Sequence, residues 1–293
     1  MTNTAVLITV SGPSAPVLRR GPIPAVVAIQ NTSAAPAEVL LPCPNPNHLR
    51  FESSSATQKP AGPQENERTV PIAIAPGATY RATYYLNRYL TFDAAGPARV
   101  SYRLEVDTTS NAGTPAATRG DVVAQGAFTV ELVEGTEEAL REALSNRAVG
   151  LRSKDRRAKA EAAEALAFLE TPLALEYQAR MLGIEGLEVT GLEALGRSKA
   201  PEAHRLIVGM LSHPESGVVT AALSEIDRLR LALPREKVWP LLSSDNPSIR
   251  YAAVDWMASH PDPRDRAAVT PQLADPNAGV RERAKGYLDA LPR

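Results

Sequence analysis

Paired cysteines, long apolar runs, catalytic signatures and a surplus of either charge are all missing from this 293-residue chain. No stretch of about eighteen consecutive apolar residues occurs, so no segment is expected to span a bilayer. The single cysteine, Cys43, excludes an intrachain disulfide and leaves the redox compartment open. With 32 basic and 33 acidic residues the formal net charge is −1, so nothing draws the whole chain to nucleic acid or anionic lipid. The four histidines, His48, His204, His213 and His260, show no HExxH or paired i,i+4 spacing, and no metal site is expected. No GxSxG, GxGxxG or Walker loop appears, so the expectation is a protein with no cofactor and no enzymatic chemistry. Met1–Val10 lacks a basic segment followed by a long apolar one, which reads as a cytoplasmic chain; a chain trimmed of a signal peptide would read the same way.

Proline, by contrast, is abundant at 25 residues, and its placement punctuates a repeat. Leu166, Leu195, Ile226, Met257 and Leu288 are separated by 29, 31, 31 and 31 residues. Eight residues before each stand Ala158, Leu187, Val218, Ile249 and Val280; four before each stand Ala162, Gly191, Ala222, Ala253 and Ala284. A large residue, a tiny one and a large one at i, i+4 and i+8 give one apolar helix face with room for close approach at its centre. Self-similarity at this period indicates stacked helix pairs. Five pairs are expected: Glu137–Val149 with Asp155–Leu169, Pro172–Leu182 with Glu185–Gly196, Pro201–Ser212 with Glu215–Leu229, Pro234–Ser243 with Pro247–Ser259, and Pro263–Leu273 with Pro276–Leu291. Pro172, Pro201, Pro234 and Pro263 open first helices, Pro247 and Pro276 open second ones, and Thr171, Asn246, Asp262 and Asp275 supply the preceding cap oxygens.

Upstream of Glu134-Gly135-Thr136 the pattern changes to short, often alternating runs rich in valine, isoleucine and tyrosine. Candidate strands are Ala5–Val10, Ala25–Gln30, Glu38–Leu41, His48–Glu52, Thr69–Ala75, Thr79–Leu86, Arg99–Val106 and Val122–Val133, with turns such as Pro76-Gly77 and Gly96-Pro97 between them. This fits an antiparallel β-sandwich over residues 1–134 followed by an all-α domain over 135–293. Ser53–Glu67 and Thr108–Asp121 read as long polar loops. Tyr80, Tyr84, Tyr85, Tyr89 and Phe92 form the densest aromatic cluster, expected to pack into the sandwich or cover its edge.

Two resemblances follow from these residues. Ala28-Ile29-Gln30-Asn31-Thr32, Ala75-Pro76-Gly77 and Ala95-Gly96-Pro97-Ala98-Arg99-Val100 resemble bacterial immunoglobulin-like domains, with Ala98 where an aromatic often stands. Asp245-Asn246-Pro247-Ser248-Ile249-Arg250-Tyr251-Ala252-Ala253 and Asp275-Pro276-Asn277-Ala278-Gly279-Val280-Arg281-Glu282-Arg283-Ala284 resemble the HEAT-repeat family in its short bacterial form. The match covers about half the chain and is degenerate in the first two repeats. It implies a HEAT-like α-solenoid of about five helix pairs whose second helices line a concave side.

On a helix turning 100° per residue, slots 3, 6, 7 and 10 of the repeat point away from the core face. Slot 3 holds Val189 and Tyr251; slot 6 holds Leu192, Leu223 and Val254; Asp255, Glu282 and Lys285 mix in. An apolar stripe crossing adjacent repeats would suit a protein or peptide partner, so these eight residues are the expected binding surface of a scaffold protein. Sideways packing onto the next repeat, or docking of the β-domain, would use the same stripe. Arg250 and Arg281 share a slot and are expected to bridge aspartates of neighbouring repeats. The basic run Arg147, Arg152, Lys154, Arg156, Arg157 and Lys159 offers a nucleic-acid reading, as in HEAT-like alkylpurine DNA glycosylases, with Tyr251, Trp256 and Asp255 as groove candidates and Trp256 assigned to the core side. The slightly acidic balance of the domain argues against it. An inhibitor or accessory role for the β-domain loops is the third reading.

Overall fold

The computed structural model describes residues 6–41, 49–59, 70–110, 118–198 and 200–291. Its order is sheet first and helix second, in two compact units, Met1–Leu169 and Glu170–Arg293.

The strands of the first unit are β1 (Val6–Ser11), β2 (Val17–Leu18), β3 (Pro24–Asn31), β4 (Ala37–Leu41), β5 (Leu49–Glu52), β6 (Ala56–Gln58), β7 (Val70–Ile74), β8 (Thr79–Tyr85), β9 (Leu90–Phe92), β10 (Gly96–Ser110) and β11 (Thr118–Val133). They pair as β1-β3-β8, as β2-β11-β10-β4-β7 with β5 also on β10, and as β6-β9. Every pairing is antiparallel except the short β2–β11 contact. Alternation places the core: Ala25, Val27 and Ile29 of β3 are fully buried, while Pro24, Val26 and Ala28 are half-buried and Gln30 is exposed. Val27 and Ile29 share one apolar cluster with Val39, Phe51, Val100 and Leu104, so residues of the two larger sheets bury one another. Gly77, at φ +72, provides the left-handed residue that the turn between β7 and β8 needs.

All eight expected strands are present, and three short ones, β2, β6 and β9, carried too few residues to register as a pattern. The loop expected over Thr108–Asp121 is corrected: β10 runs to Ser110 and β11 starts at Thr118, paired throughout from Gly96↔Leu132 to Ser110↔Thr118. Likewise β6 lies within the loop expected over Ser53–Glu67 and pairs with β9. Cys43, His48 and residues 60–69 and 111–117 lie outside the described residues. In the aromatic cluster Tyr84, Tyr85, Tyr89 and Phe92 are buried, and only Tyr80 stays half-exposed.

The first unit does not stop at residue 134. It takes in helices α1 (Glu137–Ala148) and α2 (Arg156–Ala167). Thr136 Oγ1 accepts from Ala139 N at 3.1 Å and Asp155 Oδ1 accepts from Arg157 N at 2.8 Å, capping the two starts. Helix α2 packs on β8. There the Arg157 guanidinium lies 4.9 Å from the Tyr80 ring centre and donates to the Arg81 carbonyl, and Arg147 lies 5.9 Å from the ring centre of Tyr85. Residue 134 therefore marks the change from strand to helix, while the break in packing comes after Leu169.

The second unit contains α3 (Ala174–Met181), α4 (Glu188–Arg197), α5 (Pro201–Gly209), α6 (Ser216–Arg228), α7 (Arg235–Val238), α8 (Pro247–Ser259), α9 (Arg266–Val269) and α10 (Ala278–Ala290). First helices α3, α5 and α9 pack on α4, α6 and α10, the turn Trp239–Ser243 that follows α7 packs on α8, and α4, α6, α8 and α10 pack in succession. Leu195, Ile207, Val218, Ile226, Val238, Ile249, Met257 and Val269 make one continuous core. The tiny residues sit where the periodicity puts them, with Ala222, Ala253 and Ala284 fully buried. The last two first helices are shorter than expected. Pro240 and Pro271 lack an N–H and clash with the preceding turn, so α7 and α9 give way to the tighter 3-10 turns Trp239–Ser243 and Thr270–Ala274. Asn246 and Asp262 cap as expected, accepting from Ser248 N and Arg264 N, each at 2.9 Å. The other two expected caps are corrected: α3 starts after Leu173 with no side-chain cap, and Asn277 rather than Asp275 caps α10, accepting from Val280 N at 3.2 Å. Among the described residues no helix is long and apolar enough to cross a membrane.

Glycines test the close-approach argument with opposite signs. A Cβ on Gly191 would stand 2.9 Å from Met181 Cβ and 3.2 Å from the Gln178 carbonyl, whereas one on Gly209 would meet nothing within 4 Å. Gly191→Val is expected to lower stability by about 1–3 kcal/mol, and Gly209→Ala to raise it by about 0.5–1 kcal/mol, read from urea unfolding followed by circular dichroism.

Candidate functional site

The expected apolar stripe is not a surface. Leu192, Leu223 and Val254 are 0, 3 and 0% exposed. They point sideways into neighbouring pairs and belong to the same core as Leu195, Ile226 and Met257. A second helix in this unit is covered by its own first helix and by the pairs on either side, so its buried arc is wider than a two-helix argument allows. Of the remaining expected residues, Val189 is exposed on α4, Glu282 and Lys285 are exposed on α10, and Tyr251 and Asp255 lie together on α8.

Those two residues line a groove of about 490 Å³ between α6 and α8. Thr220, Leu223, Ser224 and Asp227 form the α6 side at spacings of three and four residues, which keep one helix face in register. Ser248, Tyr251, Asp255 and Ser259 repeat that spacing on α8, with Trp256 beside them and Asn277 from the turn before α10 closing one end. Leu223 and Trp256, the latter 6% exposed, make the floor, while the Tyr251 ring is 44% exposed. The site thus has an apolar base, one accessible aromatic and two carboxylates.

Its polar groups are mostly acceptors. Thr220 Oγ1 donates to the Gly217 carbonyl at 3.0 Å, Ser224 Oγ to the Thr220 carbonyl at 3.0 Å and Ser259 Oγ to the Asp255 carbonyl at 3.3 Å. These hydroxyls have committed their protons to their own helices and turn only lone pairs outward. Asp227 and Asp255 have side chains 52 and 50% exposed. Asp227 Oδ1 lies 3.2 Å from His260 Nε2, and Asp255 Oδ1 accepts from Arg283 Nε at 2.7 Å.

The floor is held from below. The His260 ring stacks on Trp256 with centres 4.4 Å apart, its Nδ1 lies 2.9 Å from the Trp256 carbonyl, and the Arg235 guanidinium lies 5.2 Å from the indole centre. Arg235 is fixed in turn by Asp265, fully buried, whose carboxylate accepts from Arg235 Nη1 at 2.5 Å, Trp239 Nε1 at 2.9 Å and Tyr287 Oη at 2.8 Å. Burial pushes the Tyr287 phenol up to about 12, so it stays a donor at any physiological pH. Trp256 was assigned to the core side by periodicity, and it is buried; what periodicity missed is that its edge also faces the groove. His260 is the residue that follows α8, and it ties that end to α6 through Asp227.

The arginine slot divides. Arg250 bridges repeats as expected, its Nε and Nη2 donating to the two oxygens of Asp275 at 2.6 and 2.8 Å. Arg281 does not; its Nη1 donates to the carbonyls of Asp275 and Pro276, at 2.7 and 3.0 Å, so it closes its own turn. In the basic run, Arg147 and Arg157 lie over Tyr85 and Tyr80.

No family model and no curated protein matches the chain. Among solved structures, an engineered protein is similar over 52% of this chain and 81% of its own, at 16% identity and a TM-score of 0.30. A second engineered protein matches 52% of this chain and 49% of its own, at 17% identity and a TM-score of 0.30. Trypsin-activated alpha-2-macroglobulin from Escherichia coli matches 99% of this chain but only 24% of its own length, at 11% identity and a TM-score of 0.25. Likenesses this slight carry no argument, and the functional reading rests on the chain's own residues.

The carboxylates around the turns give the unit an acid limit. The Arg264 guanidinium holds Asp262 down at about 2, and Arg250 holds Asp275 below its ordinary 3.8. An acid depressed on folding contributes stability that is present above its unfolded value and lost as pH falls through the folded one. The urea midpoint is therefore expected to fall from about pH 4 downwards. Asp275→Asn should start lower at neutral pH and decline less steeply; a decline parallel to that of the unaltered chain would rule Asp275 out as a source.

Proposed function

We propose that this is a non-enzymatic interaction protein. In this reading an immunoglobulin-like sandwich precedes a HEAT-like helical solenoid, and the solenoid binds a polypeptide in the groove between α6 and α8. Two features support the architecture: the shared apolar cluster of β3 and β10, and the succession of α4, α6, α8 and α10 at a 31-residue repeat. The single observation that carries the binding reading is the exposed Tyr251 ring beside a groove floored by Leu223 and Trp256, an aromatic anchor next to a shaped apolar base. The partner surface is accordingly narrower than the eight residues expected from sequence, and of those it keeps Leu223, Tyr251 and Asp255. The nucleic-acid reading loses support here, because no lysine or arginine is among the groove's lining residues.

The test is selection of a random nonapeptide library against the full chain. Selected peptides are expected to bind at least tenfold more weakly to Ser224→Trp, which fills the groove from an exposed position, and to Tyr251→Ala, with helical circular dichroism unchanged in both. Selected peptides that bind both variants as tightly as the unaltered chain would place recognition elsewhere and end this reading.

A further inference from the structure

The geometry points to an arginine side chain of the bound polypeptide as the group that the α6–α8 groove selects. This rests on the groove being a polypeptide site and specifies what the polypeptide must carry. Three observations converge. The first is the donor and acceptor inventory: of the four aliphatic hydroxyls in the lining, Thr220, Ser224 and Ser259 donate inward to backbone carbonyls, leaving lone pairs as their outward feature. An acceptor-rich wall asks for a donor-rich ligand, and a guanidinium presents five N–H groups. The second is charge. Asp227 and Asp255 are the charged side chains of the lining, they stand on opposite helices, and each is about half exposed. His260 and Arg283 approach these carboxylates at Oδ1, 3.2 and 2.7 Å away, and no hydrogen bond reaches either Oδ2 among the described residues. The third is the Tyr251 face, open at the rim, on which a planar cation can stack.

A peptide fits better than a free cation, because the groove also has an apolar base, Leu223 and Trp256, on which the rest of a chain can pack beside the charged group.

The experiment uses the full chain and three fluorescein-labelled Gly/Ser nonapeptides, carrying two central arginines, two citrullines (the same shape without charge) or two glutamates, read by fluorescence anisotropy. The arginine peptide is expected to bind at least tenfold tighter than the citrulline peptide. That advantage should vanish in Asp227→Asn with Asp255→Asn and persist in Glu236→Gln with Asp289→Asn, which removes equal charge from exposed positions outside the lining. Equal binding of arginine and citrulline peptides, both lost in Ser224→Trp, would overturn the arginine inference and leave the polypeptide groove standing. Arginine-peptide binding that survives Ser224→Trp would mean attraction to the surface at large, and the groove reading would fall with the inference. Absence of arginine-peptide binding overturns the inference, and the library selection then judges the groove by itself.

Discussion

A side chain no bigger than a methyl group at the middle of each second helix sets how near its neighbours can come. Gly191, Ala222, Ala253 and Ala284 occupy that place, and at Gly191 an added Cβ would already collide with Met181. Everything else in the second unit is arranged around this approach. The bulky residues four positions to either side interlock because the centre is thin, as with Val218 and Ile226 around Ala222, or Ile249 and Met257 around Ala253. The polar groups that the approach would strand are dealt with at the turns, where Asn246, Asp262 and Asn277 accept from helix-start N–H groups and Arg250 ties one turn to the next.

The same constraint explains why the first helix pair looked degenerate. Helix α2 puts Ala158 where its counterparts put an aliphatic, and within its own unit it packs on β8. Its buried face is almost all alanine, from Ala162 through Ala167, broken by Leu166, while Arg147 and Arg157 lie over tyrosines of that strand. A helix pair that packs on a sheet has a different surface to cover, and its sequence differs accordingly.

Much of the fold was legible because it rests on periods. Strand alternation in Ala25–Gln30 and the 31-residue recurrence of Ile226 and Met257 each report one buried face directly. The lengths of α7 and α9 were legible too, had Pro240 and Pro271 been weighed as interior breakers. The site was far less so. Leu192, Leu223 and Val254 looked free because a helical wheel knows one neighbour, whereas α4, α6 and α8 are each covered from several sides. Tyr251 and Asp255, expected by slot, line one groove, but Trp256 is both core and groove wall, a duality that no periodic argument expresses. The contact of Asp227 with His260 joins two helices at a distance of 33 residues, with no local spacing to announce it.

Contacts between successive pairs have a mechanical corollary. With α4 touching α6, α6 touching α8 and α8 touching α10, each second helix leans on the next. Free energy in such a series is a chain of local couplings, so opening passes from pair to pair like a fraying rope. The pair α9–α10 packs on α8, and it supplies Arg283 to Asp255 and Asn277 to one end of the groove. Breathing at that end would loosen the cleft before the rest of the array felt it, coupling occupancy of the cleft to the persistence of the last two helices.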